Sequence, residues 1–98
     1  MTIQKTQNGA ELTLALNGRL DTTTAPQLEE ELKNSLTGVT GLVFDFTDLA
    51  YISSAGLRVL LAAQKIMMKQ GTMCLRHVNA DIMDVLQITG FCDILTIE

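Results

Sequence analysis

The stretch that decides the fold is LVFDFTDLAYISSAGLRVLL, residues 42–61. Leu42, Val43 and Phe44 run without alternation, the pattern of a strand covered on both faces, so GLVFDF is expected to be a central strand with helices on both sides. From Ser54 the spacing becomes helical. Leu57, Leu60, Leu61, Ala63, Ile66, Met67 and Met68 leave a narrow polar stripe of Arg58, Lys65 and Lys69 as far as Gln70, and Gly71 stands in the usual C-terminal glycine position. Two hydroxyls, Ser53 and Ser54, therefore fall where a strand leaves the core and a helix begins.

On the N-terminal side, residues 2–17 hold two strands around Asn8-Gly9, a dipeptide that tolerates positive φ and favours a tight hairpin. Leu12, Leu14 and Leu16 alternate with Glu11, Thr13 and Ala15, which gives the second strand one buried face. The first strand has only Ile3 as an anchor, so it is expected at an edge. In TTTAPQLEEELKNSL, residues 22–36, Thr24 and Gln27 fit a capping box and Pro26 fits a first turn. A helix from about Ala25 then buries Ala25, Leu28, Leu32 and Leu36, with Glu29, Glu30 and Glu31 as a solvated acidic face near its positive end.

On the C-terminal side, Thr72 to Val78 reads as a strand. Asn79 caps a third helix with Asp81 and Asp84 near its start and Ile82, Val85, Leu86 and Ile88 inward. Gly90 closes it before a last strand from Cys92 to Ile97. The order strand, strand, helix, strand, helix, strand, helix, strand predicts one α/β domain over residues 1–98, with a mainly parallel central sheet, an antiparallel N-terminal edge hairpin and interleaved helices.

Composition narrows the function. The chain has 98 residues, 47% apolar and 18% charged, enough to bury roughly 65% of its unfolded surface without a disulfide or metal. A net charge of −4, one Tyr and no Trp supply neither a basic patch nor a stacking platform for nucleic acid. No apolar run approaches the roughly 20 residues of a membrane span, and the first residues lack the apolar core of a signal peptide, so a cytoplasmic protein without membrane insertion is expected. Cys74 and Cys92 form no CxxC and read as small buried hydrophobes in a reducing compartment.

Three chemistries compete at the serines. A nucleophile elbow requires glycine two residues before the serine, and Tyr51 and Ile52 stand there instead. His77, the sole histidine, reads as a partly buried structural residue at a strand end. Asp21, Asp45 and Asp48 are candidates to meet at one sheet edge around Mg²⁺, against the simpler reading that they form turns and caps. No phosphate-binding glycine loop is present. Helix capping needs one serine, which leaves the other exposed at the helix start. A phosphoryl group there would bring about −1.5 to −2 charge next to open backbone N–H groups, tolerable to the fold and disruptive to anything packed on that surface.

At these residues the chain resembles the STAS-domain family of anti-sigma factor antagonists. NGRLDTTTAPQLEEEL resembles the segment after the family's first hairpin, LVFDFTDLAYISSAGLRVLL its central strand and signature loop, and VLQITGFCDILTI its closing helix and strand. The resemblance implies that Ser54, followed by Ala55, Gly56 and Leu57, is the serine phosphorylated by a partner that is both anti-sigma factor and serine kinase. Well-studied members carry Asp immediately before it. Ser53 occupies that place here and becomes a second candidate site. The resemblance further implies a non-enzymatic switch without a cofactor of its own: the unmodified protein binds the anti-sigma factor and frees a sigma factor, phosphorylation ends the binding, and a phosphatase restores it. ATP and Mg²⁺ would belong to the kinase. Asp21, Thr22, Ser53, Ser54 and Arg58 are the implied partner contacts. The departure at Ser53 keeps a second reading open, a non-phosphorylated STAS scaffold subunit of a lipid-transport or other membrane transporter complex.

Overall fold

The computed structural model describes residues 1–98. Its elements are β1 (Thr2–Asn8), β2 (Glu11–Leu20), α1 (Ala25–Ser35), β3 (Gly41–Ile52), α2 (Ser54–Met67), β4 (Thr72–Arg76) and α3 (Ala80–Ile88), followed by a short 3₁₀ turn, Phe91–Asp93. The sheet order is β1-β2-β3-β4, with β1 antiparallel to β2 and the other neighbours parallel. The hairpin forms at Asn8-Gly9 as expected: Asn8 faces Glu11, and Gly9 takes φ 63°. β1 lies at the edge, where Ile3 opposite Leu16 is its one apolar anchor.

The covering of β3 differs from expectation. Leu12, Leu14 and Leu16 of β2, Leu42, Phe44 and Phe46 of β3, and Met73 and Leu75 of β4 join the buried residues of all three helices in a single core that excludes Val43. The helices therefore share one face of the sheet. Topology explains it: strands added in one direction by crossovers of one hand carry each connecting helix over the same face, and covering both faces needs a reversal of strand order. The opposite face runs in cross-strand rows, Thr13–Val43–Cys74 and Ala15–Asp45–Arg76. Small and polar neighbours shield Val43 there, so an unbroken apolar run arises without a second helical layer.

β3 also continues beyond Phe46. The Asp45 carboxylate accepts hydrogen bonds from the Thr47 amide (3.0 Å) and hydroxyl (2.6 Å), and this turn takes up a bulge, after which pairing with β2 resumes at Asn17–Asp48 and ends at Leu20–Ile52. His77 Nδ1 lies 2.9 Å from the same Asp45 oxygen. The Thr47 hydroxyl, and after it His77, hold the Asp45 carboxyl down at about 2. His77 is exposed rather than partly buried, and its φ of 59° ends β4 at Arg76, two residues before the expected limit.

Three further expectations change. α2 ends at Met67, where a tighter turn carries the chain to Gly71. Gly71 does not take a positive φ; it is required because a Cβ would overlap the Thr40 carbonyl, which accepts the Thr72 amide at 2.9 Å. In α3, Ile82 and Leu86 are buried but Ile88 is 85% exposed, because the helix ends there. The last strand is reduced to one bridge, Leu75–Ile97, since the 3₁₀ turn uses up residues 91–93 and only the final residues reach β4. Cys74 and Cys92 are free and half-buried, with Cys92 Sγ 3.8 Å from Met83 Sδ. No helix is long and apolar enough to cross a membrane.

Candidate functional site

The C-terminal ends of β2 and β3 bring two loops together. The Ser53 amide donates to the Leu20 carbonyl (2.9 Å), so the β3–α2 junction sits against the β2–α1 turn. Gly56, the third residue of α2, packs so closely that a Cβ would lie 2.7 Å from Leu20 Cγ and 3.0 Å from Ile52 Cγ1. A glycine at this position lets the helix start on the strand ends. Asn79 fixes the neighbouring loop, its side-chain amide donating to the Leu49 carbonyl (2.9 Å) and its oxygen accepting from the Ile82 amide (2.9 Å).

The two serines differ in access. Ser53 is the N-cap residue of α2, with extended backbone (φ −104°, ψ 175°), yet its hydroxyl makes no capping bond. Its Oγ is buried and has no hydrogen-bond partner. Ser54, the first helical residue, is exposed. The first in-chain acceptor used by this helix start is the Ser53 carbonyl, which receives the Leu57 amide at 3.0 Å, so the amides of Ser54, Ala55 and Gly56 have no acceptor within the chain. The expected serine cap is therefore absent. The positive end of a helix of 14 residues stands open beside an exposed hydroxyl.

Asp21 organises the adjacent turn. Its Oδ1 accepts from the Thr23 amide (3.0 Å), the Thr23 hydroxyl (2.8 Å) and the Thr24 amide (3.2 Å), and the Thr23 hydroxyl is the main reason its carboxyl titrates below the ordinary range. Thr24 does not form the expected capping box: its hydroxyl accepts from the Asp21 amide (2.8 Å) and donates to the Arg19 carbonyl (2.8 Å), which ties the turn to β2 instead. Thr22 is exposed at the tip, and Arg58 is exposed on α2 one turn beyond Ser54. The five predicted contacts thus lie on two abutting loops and the first turns of α2. Asp21, Asp45 and Asp48 form no group able to hold a metal; Asp21 and Asp45 serve the turn-forming roles set out as the simpler reading.

Sequence reasoning missed one pair at this edge. Arg19 and Tyr51 face each other across β2 and β3, with the Arg19 guanidinium carbon 4.1 Å from the Tyr51 ring centre and Arg19 Nε 3.7 Å from Asp21 Oδ2. Both side chains are exposed. Their pairing depends on a register displaced by two irregularities, so no local sequence signal reveals it.

Comparison with known proteins places these features in context. The family model described as STAS domain matches residues 2–98. A Bordetella bronchiseptica protein named as a candidate anti-sigma factor antagonist, BtrV, is 38% identical over 88 residues, covering 88% of this chain and 76% of its own. The anti-sigma-B factor antagonist of Bacillus subtilis is 29% identical over 93 residues, covering 94% of this chain and 85% of its own. Among solved structures, the Bacillus cell fate determinant SpoIIAA in its phosphorylated form matches with a TM-score of 0.77 at 18% identity, covering 99% of this chain and 91% of that one, a likeness of fold.

Proposed function

The chain belongs to the STAS domain family, and from that membership we propose that it is an anti-sigma factor antagonist switched by phosphorylation of Ser54. Unmodified, it binds an anti-sigma factor that is also a serine kinase, and a sigma factor is released. In the modifying step the Ser54 Oγ–P bond forms as the bond from the γ-phosphorus of ATP to its bridging oxygen breaks; ADP leaves, and the hydroxyl proton passes to a base on the kinase. ATP and Mg²⁺ are the kinase's. This chain contributes an acceptor and a surface, and a phosphatase resets it.

The observation that carries the reading is the contrast between an exposed Ser54 at an open helix start and a neighbouring Ser53 whose hydroxyl is buried. That contrast supports Ser54 rather than Ser53 as the acceptor. A phosphate on Ser54 meets free N–H groups and leaves the fold in place. A partner packed over Asp21, Thr22 and Arg58 would have to cover a dianion, and taking that charge out of water costs several kcal/mol.

The test joins phosphosite mapping by tandem mass spectrometry, on protein isolated from its native cells, with calorimetric titration of the copurifying ATPase. Ser54→Asp is expected to weaken binding at least about tenfold, equivalent to about 1.4 kcal/mol, while Ser54→Ala binds as wild type. Equal affinities for wild type and Ser54→Asp sink the switch. An unmodified Ser54 under every growth condition, with transporter subunits copurifying, replaces it with the scaffold reading.

A further inference from the structure

We propose that Arg58 is the internal counter-ion of phosphorylated Ser54, so that modification removes a cation from the partner-facing surface as well as adding negative charge to it. The proposal rests on Ser54 being the modified residue and concerns what the phosphate then touches. Ser54 and Arg58 are both exposed and four residues apart on α2, the spacing at which side chains lie over one another, with the anionic member on the N-terminal side as the favourable order requires.

Arg58 is also uncommitted. Arg19 is held by Tyr51 and Asp21, Lys33 by Glu29, and Arg76 by Glu98, whereas Arg58 makes no ion pair or side-chain hydrogen bond. The acid in the abutting turn does not compete for it: Asp21 Oδ1 is taken by Thr23 and Thr24 and its Oδ2 faces Arg19. Lys65 lies a further two turns along the helix. A phosphate on Ser54 thus has next to it the Ala55 amide, which has no acceptor in the chain, and one turn along the helix a planar guanidinium suited to paired hydrogen bonds with phosphate oxygens. In the unmodified protein the same guanidinium projects into solvent and is available to an acidic partner surface.

The test installs phosphoserine at position 54 of the full chain by genetic code expansion, in wild type, Arg58→Lys and Arg58→Gln, and follows the second ionisation of the phosphate by ³¹P NMR. The charged groups by this turn are Arg58 on α2 and the Arg19–Asp21 pair on the β2–α1 turn, and only the first is changed. The midpoint is expected about half a unit higher in Arg58→Gln than in wild type, with Arg58→Lys between them and the gap narrowing in about 1 M salt. Identical midpoints for wild type and Arg58→Gln overturn the proposal. Because the phosphate is installed rather than enzymatic, this outcome is independent of whether cells modify Ser54: an unmodified native Ser54 overturns the switch, whereas identical midpoints overturn the Arg58 pair and leave the switch standing.

Discussion

The starts of α2 and α3 solve one problem in opposite ways. Both helices follow a residue with extended backbone and a short polar side chain, Ser53 at φ −104°, ψ 175° and Asn79 at φ −75°, ψ 169°. Asn79 turns its side chain to the helix, takes the Ile82 amide and anchors to the Leu49 carbonyl. Ser53 turns its hydroxyl into the interior, where it bonds to nothing, and leaves three amides open. The start of α2 rests on the packing of Gly56 and one backbone bond from Ser53 to Leu20, whereas the start of α3 is tied by the Asn79 side chain. A helix start held by packing keeps its polar groups free for something outside the chain, and that is the end on which Ser54 sits.

The sharpest way to break this contrast is to attack the packing. In Gly56→Val the new side chain meets Leu20 and Ile52 within about 3 Å of its first carbon, and because both are core residues the expected loss is about 3 kcal/mol in urea unfolding. A loss below about 1 kcal/mol would show that α2 is not held by this contact. The matching change at the other helix is smaller. Asn79→Ala removes a cap and a loop anchor together, with an expected loss of about 1.5 kcal/mol, and Asn79→Asp keeps the capping oxygen while losing the bond to Leu49, so it falls between. Wild-type stability in Asn79→Ala would erase the difference between the two helix starts.

Much of this arrangement is legible in the sequence where the cause is local. Asn8-Gly9 specifies a hairpin by its tolerance of positive φ, the alternating leucines specify a one-sided strand, and Asn79 followed by an apolar period specifies a cap. Ser54 at a helix start is legible for the same reason. The misreadings occur where distant segments decide. Val43 is buried by cross-strand neighbours rather than a helix, so a continuous apolar run was a poor guide to layering. The extension of β3 through Thr47 and Asp48 depends on Asp45 accommodating a bulge, and turn-forming residues mask it. The loss of the last strand depends on how far the chain travels around Gly90 and Phe91. The inward turn of the Ser53 hydroxyl is a choice between side-chain orientations, which residue type alone leaves open.

That choice supplies the smallest effect and the most direct reading of the helix start. A hydroxyl that caps stabilises by about 1 kcal/mol, and its removal costs that much; a buried hydroxyl with no partner carries a desolvation penalty, and its removal is neutral or slightly stabilising. Ser53→Ala is therefore expected to change unfolding free energy by no more than about 0.5 kcal/mol, with any residual change in the stabilising direction. A loss near 1 kcal/mol would mean that Ser53 bonds to the amides of Ala55 or Gly56 after all. The consequence reaches the proposed switch, because a phosphate on Ser54 would then compete with an occupied cap. With the cap vacant, the proposed phosphate on Ser54 would meet a helix start whose first amides have no acceptor in the chain, whereas the start of α3 is already capped by Asn79.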